Sequence, residues 1–147
     1  MLNTMSPFRL ISALFLSCVL AGSALADGTG PGYADALDAF DNGEFERSVA
    51  ILEEFRTITP ECSECAHLLG RSYGRLAEQS NWTKAIGLAK KTRVAFEDAM
   101  SIDPTNTHAL EDLIRYYRSA PGFLGGDKAK AETLEKQLQA IRTSTTG

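Results

Sequence analysis

The fold of this chain is decided by a stretch near its middle, Cys65-Ala-His-Leu-Leu-Gly-Arg-Ser-Tyr73. Its apolar residues recur every three or four positions, which is the spacing of one face of an α-helix. The leucine–glycine–tyrosine part of this spacing starts again downstream, with isoleucine in place of glycine, at Leu110, Leu113, Ile114 and Tyr117. A spacing that returns in this way indicates a chain built from repeated helical units.

Two prolines give the length of the unit, because proline lacks an N–H and ends a helix. Pro60 and Pro104 each follow an apolar helical segment, and they lie 44 residues apart. The stretch 65–73 and the helical segments that end at these prolines resemble the tetratricopeptide repeat (TPR) superfamily. Ala66 replaces the tryptophan of the TPR motif W-x2-L-G-x2-Y. Since the TPR unit has about 34 residues, the middle unit should carry about ten more, and we expect them to lengthen both of its helices.

The resemblance covers most of the chain after residue 26, and the run from Leu88 to Gly126 resembles exported bacterial TPR proteins in particular. It implies an all-α fold, a TPR-like stack of about three helical hairpins with the second one lengthened. The periodicity predicts six helices, at 31–42, 44–58, 62–79, 82–102, 106–119 and 127–142. No segment alternates with period two, so no strand is expected.

Three local features should support these helices. Ser80 or Asn81 should cap the fourth helix, since either side chain can accept a backbone N–H. Asp127 is well placed to occupy the N-terminal end of the sixth helix. In the loop before it, Phe123 and Leu124 are expected to pack into the core.

Residues 1–26 have the features of a signal peptide. Arg9 is their only charged side chain, and the apolar run 10–21 that follows is shorter than the roughly 20 residues of a membrane anchor. Small residues at Ala24 and Ala26 favour cleavage after Ala26. We therefore expect a periplasmic or secreted protein. A lipoprotein acylated at Cys18 and a retained signal anchor are the alternatives.

The remaining chain carries 14 basic and 19 acidic side chains, a formal charge of −5. This negative charge makes nucleic acid a poor default partner. No later segment is apolar enough for stable membrane insertion. The expected organisation has three parts: a signal peptide over 1–26, a TPR-like helical domain over 27–142 and a flexible tail over 143–147.

The sequence contains no recognisable catalytic motif. It has two histidines and lacks G-x-S-x-G, H-E-x-x-H and any acidic cluster typical of metal sites. We therefore expect a protein that is not an enzyme and that holds no metal and no cofactor.

Cys62 and Cys65 form a C-x-x-C motif at the start of the third predicted helix. A helix N-terminus lowers the pKa of a thiol, which suits a redox-active pair, but the βαβ pattern of thioredoxin-like proteins is missing. In an oxidising compartment a structural disulfide is the simplest interpretation. Free thiols, or a thiol-handling function in the cell envelope, remain as alternatives.

The TPR resemblance also implies where a partner binds. In TPR proteins the first helices of successive hairpins line a concave groove, and here nine residues fall on that groove: Tyr33, Leu37, Phe40, His67, Arg71, Arg75, His108, Arg115 and Arg118. Because the arginine fork suits carboxylates, we expect a protein or peptide partner with an acidic or carboxyl-terminal segment. Affinity should rise as the pH falls through about 6.5, where histidine becomes protonated.

Two alternatives limit this interpretation. The arginines could pair with the chain's own acidic side chains, such as Glu64 and Glu111. The protein could also be a structural part of a larger envelope complex. Since three repeats are near the minimum for independent stability, either the last helix or a second copy should cap the stack, and the oligomeric state stays open.

Overall fold

The computed structural model describes residues 31–145, with side chains over 32–144. The predicted signal peptide 1–26, with its cleavage site after Ala26, lies outside the described residues. Within 31–145 the chain is all-α and contains no strand, as predicted. The six helices are α1 (Pro31–Asp41), α2 (Phe45–Ile58), α3 (Ser63–Glu78), α4 (Trp82–Ile102), α5 (Thr107–Ser119) and α6 (Lys128–Thr145).

The predicted helix ends agree with these bounds to within one residue, except at the end of α6. This helix continues to Thr145, so residues 143–145 are helical where a flexible tail was predicted. The hydroxyls of Thr143 and Ser144 donate to the main-chain carbonyls of Ala140 and Ile141, three residues earlier in each case. The polar residues at this end therefore bond to carbonyls of the helix's own last turns.

Side chains cap four of the helices. Asn81 accepts the N–H of Lys84 at the start of α4, so asparagine and not Ser80 provides the cap. Asp127 accepts two N–H groups of the first turn of α6, as expected. Cys62 and Asn106 cap α3 and α5 by accepting the N–H three residues later.

Each helix packs against the next one along the chain, and α1, α3 and α5 also contact one another in that order. The most extensive contact joins α3 to α4, which have 16 and 21 residues against 14 in α2 and 13 in α5. The 21 residues of α4 make it the longest of the described helices, while the 16 of α3 are fewer than the 18 of α6, so the predicted lengthening of both helices of a middle hairpin stays a prediction.

Gly70 allows this close contact between α3 and α4. A β-carbon at this position would lie 2.5 Å from ring atoms of Phe96 and 3.3 Å from the β-carbon of Ala95. Phe96 itself is buried, in the core cluster that α4 forms with α5 and α6. The glycine of the motif thus serves helix packing.

A period of 44 residues recurs in the contacts of the described chain. Tyr73 of α3 donates its hydroxyl to Glu53 of α2, and Tyr117 of α5 donates to Glu97 of α4. Both tyrosines and both glutamates are 44 positions apart, as are the two caps Cys62 and Asn106. The unit 45–78 is therefore repeated, with one lengthened helix, by the unit 82–119.

The loop between α5 and α6 differs from its prediction, because Phe123 is 59% exposed. The short 3-10 turn at Gly122–Leu124 is fixed through its main chain: Tyr116 donates its hydroxyl to the carbonyl of Leu124. Gly126 allows close approach to the carbonyl of Ala120, which any side chain would block. Since backbone contacts hold the loop, its phenylalanine is left outside the core.

Candidate partner-binding surface on α1, α3 and α5

The exposed faces of α1, α3 and α5 form one concave surface, which we call the odd-helix surface. It contains two hollows, of about 500 and 440 Å³. They share three side chains, Arg71 of α3 and Asp112 and Arg115 of α5, so they form one continuous depression. Seven of the nine residues predicted from the repeat pattern line it: Tyr33, Phe40, His67, Arg71, Arg75, His108 and Arg115.

The other two predicted residues lie elsewhere. Leu37 is half-buried and packs against the core between α1 and α3. Arg118 pairs with Glu135 of α6, away from the depression. A helix turns by about 100° per residue, so three residues after Arg115 the side chain of Arg118 is about 60° short of a full turn. This difference in direction around α5 points Arg118 toward α6.

Arg71 differs from every other arginine of the described residues, because it has no carboxylate within 4.0 Å. The other seven each pair with one. The guanidinium of Arg71 instead lies over the ring of Phe40, 4.5 Å from its centroid, and the residue is exposed. It is therefore a free cation, held in place by an aromatic ring, where the two hollows meet.

The neighbouring arginines are already neutralised. Arg75 lies 2.7 Å from Glu78, and Arg115 lies 2.9 Å from Asp112. Self-pairing of these arginines was one alternative from the sequence, and it holds for both, although the acids differ from those expected. Glu111 instead pairs with Arg142. The predicted cluster of four free arginines is thus reduced to one.

His67 is enclosed and does not point freely into the depression. It is 6% exposed, and its Nε2 lies 2.9 Å from Oδ2 of Asp112, while its Nδ1 lies 4.0 Å from Glu64. The ring of Phe96 lies 5.7 Å away, centroid to centroid. Of the two histidines, exposed His108 is therefore the one placed to attract an anionic partner when protonated.

Asp112 is the residue of this surface that sequence reasoning missed. Its burial alone raises the pKa of the carboxyl, but the hydrogen bond with His67 and the charges of His67, Arg115 and Arg71 outweigh burial, so the pKa is lowered overall. Asp112 is thus an ionised carboxylate that organises α3 and α5 around it. Its position beside Glu111, in a helix rich in charges, gave no signal in the sequence.

A polar link next to Asp112 fixes the start of α5 to α3. Asn106 donates to the hydroxyl of Ser63 at 2.9 Å and to Glu64 at 3.1 Å, and its oxygen caps α5. This asparagine is 6% exposed. Because buried polar groups are costly unless bonded, the link holds both helices, and with them the depression, in one relative position.

Tyr33 of α1 closes one end of the depression. Burial, followed by the negative charge of Glu64, raises the pKa of its phenol, although Arg71 acts against this shift. The phenol is therefore protonated at neutral pH and available as a hydrogen-bond donor. Together these groups can bind a polar chain and hold one carboxylate at Arg71.

Cys62 and Cys65 lie apart from this surface, at the N-terminus of α3. Their Sγ atoms are at disulfide-bonding distance, with the α-carbons 5.2 Å apart. The two residues are 4% and 0% exposed. A thiol pair that exchanges with other proteins must be accessible to them, so this burial favours a structural bond.

Two properties of the described residues bear on other classes of site. No group of three or more histidine, cysteine or acidic side chains in the described chain is arranged to hold a metal ion. No helix of residues 31–145 is both long and apolar enough to cross a membrane.

A scan against models of known protein families finds no match to the chain, and a search of curated proteins finds none either.

Proposed function

We propose that this chain is an exported TPR-like scaffold that binds a protein or peptide partner on the odd-helix surface. The repeated unit supports the hairpin assignment, because caps and tyrosine–glutamate bonds recur after 44 residues. The adjacency of α1, α3 and α5 is the arrangement by which TPR hairpins form a groove. If the segment 1–26 is a signal peptide, the partner is met in the periplasm or outside the cell.

The observation that carries the proposal is the unpaired guanidinium of Arg71. It is exposed, lies over Phe40, and is placed where both hollows meet. A partner carboxylate can accept two parallel hydrogen bonds from it. Since Arg75 and Arg115 already have partners, the surface suits one carboxylate, such as a chain terminus, better than a run of acidic residues.

A capture experiment followed by calorimetry tests the proposal. The wild type, Arg71→Ala and Arg118→Ala are used as bait in extract of the cell envelope, and the captured partner is then titrated against each variant. Arg118 is the matched control, since it is an exposed arginine of α5 outside the depression. Loss of a charged hydrogen bond should weaken binding by roughly 10- to 100-fold in Arg71→Ala, while Arg118→Ala binds as the wild type does.

Two further measurements sharpen the result. Added salt should weaken binding to the wild type, because it screens the attraction to Arg71. Amidation of the partner's C-terminus should reproduce the loss seen in Arg71→Ala if the carboxylate is terminal. Equal affinity of both arginine variants would contradict the proposal.

A further inference from the structure

The opposite side of the molecule, formed by α2, α4 and α6, contains two related hollows. The first lies between α2 and α4 and has about 390 Å³; the second lies between α4 and α6 and has about 520 Å³. A buried tyrosine forms part of each floor, Tyr73 in the first and Tyr117 in the second. The residues of the second hollow can therefore be compared with those at the corresponding positions of the first.

Most residues in the walls of the two hollows correspond to one another by a fixed offset. Along α2 and α4 the offset is 44 residues, which relates Glu53 to Glu97. Along α4 and α6 it is 39 residues, which relates Lys91 to Lys130. Each of these lysines lies over the ring of its tyrosine, at 4.9 Å for Lys91 and 5.3 Å for Lys130.

Two substitutions make the second hollow more apolar than the first. The first hollow is bridged by an ion pair between Arg56 and Asp98 at 3.3 Å. At the positions that correspond to Arg56 and Lys90, the second hollow has Met100 and Ala129. Leu134 replaces the smaller Ala95, and Thr133 is the one polar side chain that replaces an apolar one, Val94. The bridge is lost, and the lining becomes that of a site for hydrocarbon.

The polar groups that remain in the second hollow restrict what can occupy it. Glu97 is engaged by Tyr117 and by Arg93 at 2.7 Å. The hydroxyl of Thr133 donates to the carbonyl of Ala129. An extended peptide would find few side-chain partners for its main-chain N–H and C=O groups here, whereas an alkyl chain needs none.

Lys130 supplies the charge complementarity. It is exposed at the edge of the hollow, and no carboxylate of the described residues lies within 4.0 Å of its ammonium group. An anion attached to a hydrocarbon chain would satisfy both the free cation and the apolar lining.

We propose that the hollow between α4 and α6 binds a medium-chain fatty acid, with its alkyl chain against Met100 and Leu134 and its carboxylate at Lys130. The volume of about 520 Å³ lies within the range of small-molecule sites, roughly 300 to 1,000 Å³. This site shares no lining residue with the hollows of the odd-helix surface.

Decanoate and decan-1-ol, kept below the concentrations at which they aggregate, are the probes, and calorimetry on the purified protein gives the dissociation constants. Ala129→Lys introduces the lysine found at the corresponding position of the first hollow. Because Ala129 is exposed on α6, the replacement leaves the core intact. Placing an ammonium group against the hydrocarbon should weaken the binding of decan-1-ol, which has no charge to compensate, at least about tenfold.

Lys130→Ala tests the head group. It should weaken decanoate roughly two- to fivefold, as expected for an exposed charge pair, and leave decan-1-ol unchanged. Lys91→Ala is its control in the first hollow and should change neither probe. Circular dichroism on each variant verifies that helix content is retained.

Four results would overturn the assignment. The first is decanoate binding that does not saturate, and the second is decan-1-ol binding that Ala129→Lys leaves unchanged. The third is sedimentation that reveals a dimer of the chain which Ala129→Lys dissociates, because a second copy would then occupy the hollow. The fourth is an equal effect of Lys130→Ala on decanoate and on decan-1-ol, because the carboxylate would then not be bound at Lys130.

Discussion

The Nε2 atom of His67 lies 2.9 Å from Oδ2 of Asp112, and this contact joins α3 to α5 across 45 positions of sequence. Both residues face the depression on the odd-helix surface, but the histidine is almost fully enclosed. The pair therefore belongs to the framework of the surface, and its charge balance affects stability.

Replacing the carboxylate should lower stability in a manner that depends on pH. The pKa of Asp112 is lowered by folding, so its stabilisation is complete above the ordinary value of 3.8 and is lost as the pH falls through the folded value. Asp112→Asn should therefore cost about 1–3 kcal/mol at neutral pH. Urea unfolding at pH 7 and in acid measures this, and a loss that is equal at both pH values would contradict it.

Two glycines should respond to alanine in opposite directions. Gly70→Ala places a methyl group against Phe96, and overpacking of about 1–3 kcal/mol exceeds the gain of about 1 kcal/mol in helix propensity. At Gly87, an exposed residue of α4, an added β-carbon would meet no atom within 4 Å, so Gly87→Ala should stabilise the protein by up to about 1 kcal/mol. Urea unfolding gives the free energy of unfolding of each variant. If both variants are more stable than the wild type, the packing role of Gly70 is refuted.

The tyrosines should titrate late in the folded protein. Burial raises the pKa of all four, Tyr33, Tyr73, Tyr116 and Tyr117. For Tyr117, burial and the bond to Glu97 raise the pKa to about 12. Since the unfolded value is 10.0, the resulting stabilisation is complete below pH 10.0 and is lost as the pH rises through the folded values.

Phenolate absorbance gives the measurement for this titration. An alkaline titration of the native protein should show less phenolate at pH 10.0 than the same titration in guanidinium chloride. Tyr117→Phe should remove part of that difference. Coincident native and denatured curves would show that the phenols are not protected.

The cysteine pair should contribute little to stability through its bond. The loop closed by Cys62 and Cys65 is short, so its contribution should be less than the roughly 3 kcal/mol expected of a 15-residue loop. Serine at 62 can still cap α3, whereas alanine cannot, and a lost cap costs about 1 kcal/mol. Double serine replacement should therefore lower the melting temperature less than double alanine replacement, and equal effects would contradict the capping role.

Local signals predicted the helices well, whereas contacts between helices were predicted less well. The caps Asn81 and Asp127 could be predicted because each acts within one turn of its own position. Arg118 was misplaced because its partner Glu135 belongs to a helix whose approach the sequence does not specify. Phe123 was misplaced because hydrophobicity alone says nothing of a loop held by its main chain.

The repeated tyrosine–glutamate bond has a consequence for the engineering of longer arrays. Glu53 and Glu97 each accept the hydroxyl of a tyrosine from the next helix. The offset of 39 residues puts Lys136, an exposed residue of α6, at the corresponding place, and an ammonium group cannot accept that bond. A designer who grafts a further copy of α5 and α6 onto this end should therefore include Lys136→Glu. The new glutamate could then accept the hydroxyl of the added tyrosine, as Glu53 and Glu97 accept theirs.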